Sequence, residues 1–266
     1  MAIDTASLRL IQPRGWTAGL PNFLRKELHA WWGTRFWLIQ TAVWLAVVNG
    51  ILVIVLWVAP ATDPNMKLPE GGLMAMGLQV FFAFAAQAAA MGAAILGMGT
   101  IISEKQSGTA AWVLSKPLSR TAFITAKLVA LSLGVLLITI LLQGVVAFGQ
   151  IAAVTRELPG FVPFAIGLGV IAVHTLFYLT LVVMLGTFLN SRGAVVGIAL
   201  GLLFGQQLAG NLLGPVAMYL PNTLGALATL ASMGEPLPSV VPVVVTALLS
   251  VVFVTAALWR FGREEL

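Results

Sequence analysis

Residues 161–189 read FVPFAIGLGVIAVHTLFYLTLVVMLGTFL and contain no Asp, Glu, Lys or Arg. About 20 mostly apolar residues in a helix suffice to cross roughly 30 Å of hydrocarbon. Comparable runs lie on both sides of this one, so the sequence predicts an all-α polytopic membrane protein with six transmembrane helices. The predicted spans cover residues 36–59, 73–102, 122–150, 161–189, 194–220 and 240–259.

The overall composition excludes an ordinary soluble domain. Hydrophobic residues make up 59% of the 266 residues and charged residues only 9%, whereas soluble domains carry about 25% charged residues. The net charge of +5 would suggest nucleic acid in a soluble protein. In a membrane protein the placement of charges matters more than their sum, and we expect no nucleic-acid partner. With no cysteine in the chain, disulfides and thiolate metal sites are impossible.

Lysine and arginine set the predicted orientation. All but Lys67 and Arg156 of the 14 Lys and Arg residues fall on one side of a six-span arrangement. Because basic residues concentrate in cytoplasmic segments, we expect a multi-pass protein of the cell (inner) membrane with both termini in the cytoplasm. The expected parts are a cytoplasmic segment 1–35, a transmembrane domain 36–259 and a cytoplasmic tail 260–266.

Two shorter helices are predicted outside the spans. Residues 21–32 place Phe, Leu and Trp side chains on one face with basic residues beside them, which is typical of an amphipathic helix in the membrane interface. The alternative is an ordinary juxtamembrane linker. Residues 222–235 favour a short external or re-entrant helix before the last span, with Asn222 as its cap and Gly234 at its end. A plain apolar loop is the alternative there.

The longest connection on the basic side is the coupling segment, residues 103–121. Its first 18 residues read SEKQSGTAAWVLSKPLSR. Gly108 permits a tight bend and Thr109 can cap a short helix. Pro117 stops that helix, and Ser119 can cap the following span. We expect this helix to present Trp112 and Leu114 in the cytoplasm, where the bilayer or a partner protein must cover them.

This segment resembles a known family. Glu104-Lys105, Gly108-Thr109, Leu114, Pro117-Leu118-Ser119-Arg120, Phe123 and Lys127 follow the pattern of ABC-2 type permeases, the membrane subunits of one class of ABC transporters. The resemblance implies that the short helix is a coupling helix that docks on a nucleotide-binding subunit. Its implied coupling residues are Glu104, Lys105, Gly108, Thr109, Trp112, Leu114, Pro117, Arg120 and Lys127. Gln106 and Ser107 stand where many members carry charges, so charge pairing with the ATPase is less well supported.

The sequence lacks the phosphate-binding motif Gly-x-x-x-x-Gly-Lys-Ser/Thr. We therefore expect no ATP hydrolysis by this chain. A separate ABC ATPase subunit would bind ATP and Mg²⁺ and supply the energy. The charges of the coupling segment could instead be ordinary positive-inside residues. Lys127 could reach the interface along its own stem or pair with Glu104.

Two stripes of small residues recur at every fourth position. Such stripes let membrane helices approach closely. They could serve packing within one subunit or contact between this chain and a second copy or a related permease. The stripes are Ala85, Ala89, Ala93 and Gly97 in the second span, and Gly197, Gly201 and Gly205 in the fifth.

Several polar side chains fall inside predicted spans. Polar groups in lipid face protein or water, so these could line a translocation path or hydrogen-bond neighbouring helices. They are Gln87, Gln143, His174, Gln206, Gln207 and Asn211.

Three functions remain for comparison. The first is an ABC-2 permease that exports a hydrophobic or amphipathic substrate. The second is a secondary transporter or channel that works without an ATPase, although no Asp or Glu lies mid-span. The third is an intramembrane enzyme, although neither Gly-x-Ser-x-Gly nor His-Glu-x-x-His occurs. The first is our prediction.

Overall fold

The computed structural model describes residues 15–63, 65–209, 212 and 214–264. All regular secondary structure in these residues is helical, which confirms the predicted all-α class. The described residues form ten helices and one 3₁₀ helix, Gly214–Tyr219. In chain order these are α1 (Leu20–Trp32), α2 (Phe36–Thr62), α3 (Gly72–Gly97), α4 (Ile102–Gln106), α5 (Thr109–Leu114), α6 (Arg120–Thr155), α7 (Phe161–Phe188), α8 (Arg192–Ala209), α9 (Thr223–Ser232) and α10 (Val241–Gly262).

Five helical stretches in the described part of the chain are long and apolar enough to cross a membrane. They are α2, the nearly continuous pair α3 and α4, α6, α7 and α10. The protein is therefore a multi-pass membrane protein. Helices α8 and α9 are apolar but shorter.

The predicted fifth span, 194–220, is wrong as one continuous helix. Helix α8 ends at Ala209, Leu212 lies in a turn, and the 3₁₀ helix follows. Proline lacks the backbone N–H that an α-helix needs and is sterically incompatible with a preceding α-helical turn, so a proline at position 215 disfavours an α-helix through this region. At about 1.5 Å per residue, α8 alone measures roughly 27 Å.

Helix α7 is the centre of the bundle. It packs against α3, α9 and α10, and most of its side chains are buried. Near the N-terminal end of α7, Phe164 contacts Phe81 and Phe82 of α3 through ring pairs whose centroids are 5.1 to 5.8 Å apart. Helices α2 and α10 are peripheral and leave most of their apolar surface exposed.

One end of the bundle is called the basic end. There α1, α4, α5, the start of α6 and the last turn of α10 meet. Helix α1 lies along α6 and buries Phe23, whose ring stacks on Phe123 with centroids 5.1 Å apart. Residues 21–32 therefore lie in a packed helix, and its location in the membrane interface stays a prediction. Part of the apolar face of α1 is covered by the chain itself.

Helices α2 and α6 both contain turns of π-helix. Residues Leu45–Asn49 of α2 and Leu137–Leu141 of α6 form such turns. Near them the side-chain amide of Asn49 donates to Oε1 of Gln143 at 2.7 Å, and both side chains are buried. The amide of Gln143 donates to the carbonyl of Ile138, which lies five residues earlier in the widened turn, at 2.9 Å. The pair therefore satisfies polar groups in an apolar environment.

Candidate functional site

The coupling segment forms a helical excursion between two long helices. Gly108 has a φ of 70°, in the left-handed region that glycine adopts most readily, and it precedes α5 directly. The prediction that Thr109 caps this helix is wrong, because Thr109 is the first helical residue and Gly108 holds the cap position. Ser119 does cap α6, since its hydroxyl accepts from the backbone N–H of Ala122 at 3.0 Å.

Only part of α5 is exposed. The Trp112 side chain is 62% exposed, and the ammonium of Lys116 lies 3.7 Å from the centre of its ring. Val113 and Ala110 are buried, and Leu114 packs against the same apolar core. The expectation that Leu114 is presented to the cytoplasm is therefore wrong, because it points toward the bundle. A groove of about 490 Å³ runs between α5 and α1 and is lined by Phe23 and other apolar residues.

Lys127 is bound by two carboxylates in the interior of the basic end. Its Nζ lies 2.8 Å from Oε1 of Glu104 and 3.3 Å from both carboxylate oxygens of Glu27. Only 4% of the Lys127 side chain is exposed, against 14% of Glu27 and 15% of Glu104. Of the two roles predicted for Lys127, pairing with Glu104 is therefore the one observed. A buried ammonium needs such partners, because desolvation without them is costly.

Glu27 and Lys26 complete this charge cluster, and the sequence did not single them out. The ammonium of Lys26 lies 3.0 Å from Glu27 and 3.3 Å from Glu104. Partial burial lowers the pKa of Lys26, but the hydrogen bond and charge of Glu27, together with Glu104, raise it above its ordinary value of 10.5. One sequence signal for this cluster was available, because Glu27 is an acidic residue on an otherwise basic amphipathic helix. Amphipathic helices on a membrane surface typically carry basic residues on their polar face.

The two stems of the coupling segment contact the end of α10. Lys105 forms an ion pair with Glu264, with 2.6 Å between Nζ and Oε1. Arg120 donates from its guanidinium to the carbonyls of Phe261 at 3.3 Å, Gly262 at 3.2 Å and also Glu264. The coupling segment is thus held to α1 through Glu104 and to α10 through Lys105 and Arg120.

Comparison with known proteins gives the family of this chain. The family model described as "ABC-2 family transporter protein" matches residues 33–266. The chain belongs to the ABC-2 transporter family. The match covers the transmembrane helices and the coupling segment but begins just after α1, so α1 lies outside the matched region. A comparison with curated proteins finds no match.

As an ABC-2 family member, this chain is a membrane transport component rather than an enzyme.

Its two stripes of small residues lie in different surroundings. Ala85, Ala89, Ala93 and Gly97 are buried within the chain, as expected for packing inside one subunit. Gly201 of the α8 stripe is exposed, and a Cβ added there would meet nothing within 4 Å. The same open space adjoins Gly197 and Gly205.

Two of the polar residues predicted to line a path, Gln143 and Gln206, form hydrogen bonds within this ABC-2 family member. Gln143 is used by the pair with Asn49. Gln206 accepts from the backbone N–H of Asn222 at 3.1 Å, and its carbonyl accepts from the Asn222 side chain at 3.2 Å. Asn222 does hold the N-cap position of α9, but its side chain makes no capping hydrogen bond there. These two glutamines join neighbouring segments.

The remaining polar candidates differ from those two. His174 is buried near the middle of α7, where its ring contacts the Tyr178 ring edge to face with centroids 5.2 Å apart. Oε1 of Gln87 on α3 is buried without a hydrogen-bond partner. Asn211 and the side chain of Gln207 lie outside the described part of the chain.

Proposed function

We propose that this chain is the permease subunit of an ATP-driven exporter and that a separate ABC ATPase subunit docks on α5. The observation that carries the proposal is the exposed Trp112 on a short helix whose two stems continue directly into long membrane helices. A tryptophan exposed beside a lysine at a membrane protein's basic end offers an apolar contact for a partner. The partner would bind ATP and Mg²⁺.

The proposed mechanism is mechanical. ATP-driven closure of two ATPase subunits moves the α5 helices, and each α5 passes the movement to α3 through α4 and to α6 through Ser119 and Arg120. Docking shifts the equilibrium of the spans only if the partner contacts differ between the inward and outward states. Since α5 lies between two spans and carries the exposed Trp112, it supplies that contact. The apolar interior favours a hydrophobic or amphipathic cargo.

Six crossings with both ends in the cytoplasm are part of the proposal. The guanidinium of Arg260 lies 5.9 Å from the ring of Phe188, so α7 and α10 end near each other at the basic end. Both helices therefore run in the same direction, and the chain between them has to return once to the opposite end. Helix α8 with its 3₁₀ extension is the segment available for that return. The concentration of Lys and Arg makes the basic end cytoplasmic.

We also propose that the glycine face of α8 contacts a second permease subunit. Helix association in lipid depends on close backbone approach, which glycine permits. The α8 stripe is open in a single chain, whereas the α3 stripe is already packed. A second copy or a related permease would cover the open face and complete the translocation path between the two subunits.

The ATPase contact is tested by affinity purification of this chain with the ABC ATPase encoded next to its gene. We expect Trp112→Ala to reduce the amount of ATPase recovered and the ATP hydrolysis of the complex. Trp259→Ala is the matched control, because Trp259 is 55% exposed at the same end of the bundle. Equal recovery for both variants, or no ATPase with the unmodified chain, contradicts the proposal.

The subunit contact is tested by a second pair of variants. Gly201→Leu should leave thermal stability of the isolated chain unchanged and convert a permease dimer to monomers in detergent. Ala93→Leu, on the packed stripe, should lower stability because Ala93 is fully buried. A dimer that persists in Gly201→Leu shows that the contact lies elsewhere.

A further inference from the structure

The end of α10 bridges the two stems of the coupling segment. Lys105 precedes α5 and binds Glu264, just after α10. Arg120 follows α5 and binds the carbonyls of Phe261 and Gly262 in the last turn of α10 and that of Glu264. Among the described residues, Glu264 is the one that contacts both Lys105 and Arg120. Helix α5 itself is only six residues long. Its position is therefore set largely by where its stems are held.

The first contact is an ion pair shielded from solvent. The Lys105 side chain is 11% exposed and the Glu264 side chain 13%. Nζ of Lys105 also lies 3.4 Å from the carbonyl of Thr187, at the end of α7. Charges removed from water interact more strongly than exposed ones, and losing one partner leaves the other buried and unpaired. The pair ties α4 to α10.

The second contact uses the end of a helix. The last carbonyls of α10 have no partners within the helix and carry partial negative charge. The Arg120 guanidinium, at the first position of α6, donates to two of them, those of Phe261 and Gly262, and to the carbonyl of Glu264 just beyond the helix. A basic side chain at this position both satisfies the carbonyls and complements the helix dipole.

Stacked rings lie next to these polar contacts. Phe261 of α10 stacks on Phe123 of α6 with centroids 5.1 Å apart and planes 3° apart. The opposite face of Phe123 is taken by Phe23 of α1. Phe123 and Phe261 are fully buried. The end of α10 is therefore anchored independently of the ion pair, so it can serve as a fixed point.

We propose that residues 261–264 form a clasp that positions α5, with Lys105, Arg120 and Glu264 as positioning residues. The proposal rests on the coupling role of α5 for its consequence in transport, but the contact itself does not depend on that role. Through the clasp, displacement of α5 is resisted by α10 and is passed to that last helix as well as to α3 and α6.

The test uses the natural absence of cysteine from the chain. A nitroxide label on Ala111→Cys, at an exposed site of α5, reports how firmly α5 is held when the protein is in lipid nanodiscs without any ATPase. We expect Glu264→Lys to raise the released population at least fivefold, the factor for loss of about 1 kcal/mol. In the charge-exchanged variant Lys105→Glu/Glu264→Lys, the released population of α5 should be smaller than in either single variant.

Two controls separate a clasp from general stability. A label on Ala61→Cys, at the opposite end, should keep the same spectrum in all variants, because only general unfolding would change it. Glu235→Lys, an exposed acidic site far from α5, should leave the Ala111 label unchanged. The clasp is overturned if Glu264→Lys leaves the Ala111 spectrum as in the parent, or if the charge exchange brings no recovery.

The same variants distinguish the clasp from the proposed function. If the Ala111 label responds as expected but no ATPase binds the unmodified chain, the clasp stands and the coupling role of α5 fails. If the ATPase binds through Trp112 and the label does not respond, the coupling role stands and the clasp fails.

Discussion

Replacing Lys127 by Met should destabilise the basic end of this permease strongly. Its ammonium is shared by Glu27 and Glu104, and it is almost completely buried. The Met side chain has a similar length and keeps the apolar contacts of the lysine stem. The change therefore removes the charge and leaves two mostly buried carboxylates facing each other. Lys26 stays within 3.3 Å of both, but its side chain is half exposed.

The expected magnitude follows from the geometry. Breaking a buried ion pair by removing one partner costs about 3–5 kcal/mol. Because Lys26 still compensates part of the negative charge, we expect the lower limit, about 3 kcal/mol. For a chain of this size each kcal/mol shifts the unfolding midpoint by about 2–4 °C. The Lys127→Met midpoint should therefore fall by roughly 6–12 °C.

The assay is thermal unfolding of the purified protein in detergent, with Lys67→Met as the matched control at an exposed lysine. The triple variant Glu27→Gln/Glu104→Gln/Lys127→Met should recover most of the loss, since removing a whole buried charge group is often nearly neutral. Our reasoning is refuted if Lys127→Met unfolds within about 2 °C of the parent, less than 1 kcal/mol. It is equally refuted if the triple variant is no more stable than Lys127→Met.

Three further predictions concern neighbouring features. Gly108→Ala should lower the stability by about 1–2 kcal/mol, because an alanine would have to adopt a left-handed φ. Gly19→Ala should lower it more, because the added Cβ would also lie 2.8 Å from a backbone carbonyl of the coupling segment. The thermal midpoints of the two variants test this order. Asn49→Leu should lower stability by about 0.6–1.7 kcal/mol by leaving Gln143 without its partner, and the double variant with Gln143→Leu should be less than additive. Because the pKa of Lys26 is raised in the folded protein, its stabilising contribution is present at neutral pH and is lost only as pH rises through a value above 10.5. The difference in thermal midpoint between Lys26→Gln and the parent should therefore stay constant from about pH 7 to 10.

Local features of the basic end could be predicted because they depend on a few neighbouring residues. The glycine bend at Gly108 and the Ser119 cap are satisfied within three or four positions of the chain. The Thr109 cap was predicted wrongly because Gly108, in the left-handed region, occupies the position before the helix. The ABC-2 family could also be identified, since its pattern lies within one continuous segment.

The charge partners could not be predicted in the same way. Glu27 and Lys127 are 100 positions apart, and Lys105 pairs with Glu264, just after the last helix. Which of many basic and acidic residues meet depends on how α1, α6 and α10 pack. The sequence placed these charges on one side of the membrane but contains no local rule that pairs them.

By itself the sequence determined the membrane-spanning helical class, the basic end and the bend before α5, because apolar length, charge and backbone conformation are local properties. Only the tertiary structure decided that the α3 stripe is packed while the α8 stripe is open, and that α8 ends before the predicted span does. The physical reason is that lipid tails and a protein core are equally apolar. Hydrophobicity therefore marks a helix as membrane-embedded without showing which of its faces meets another helix.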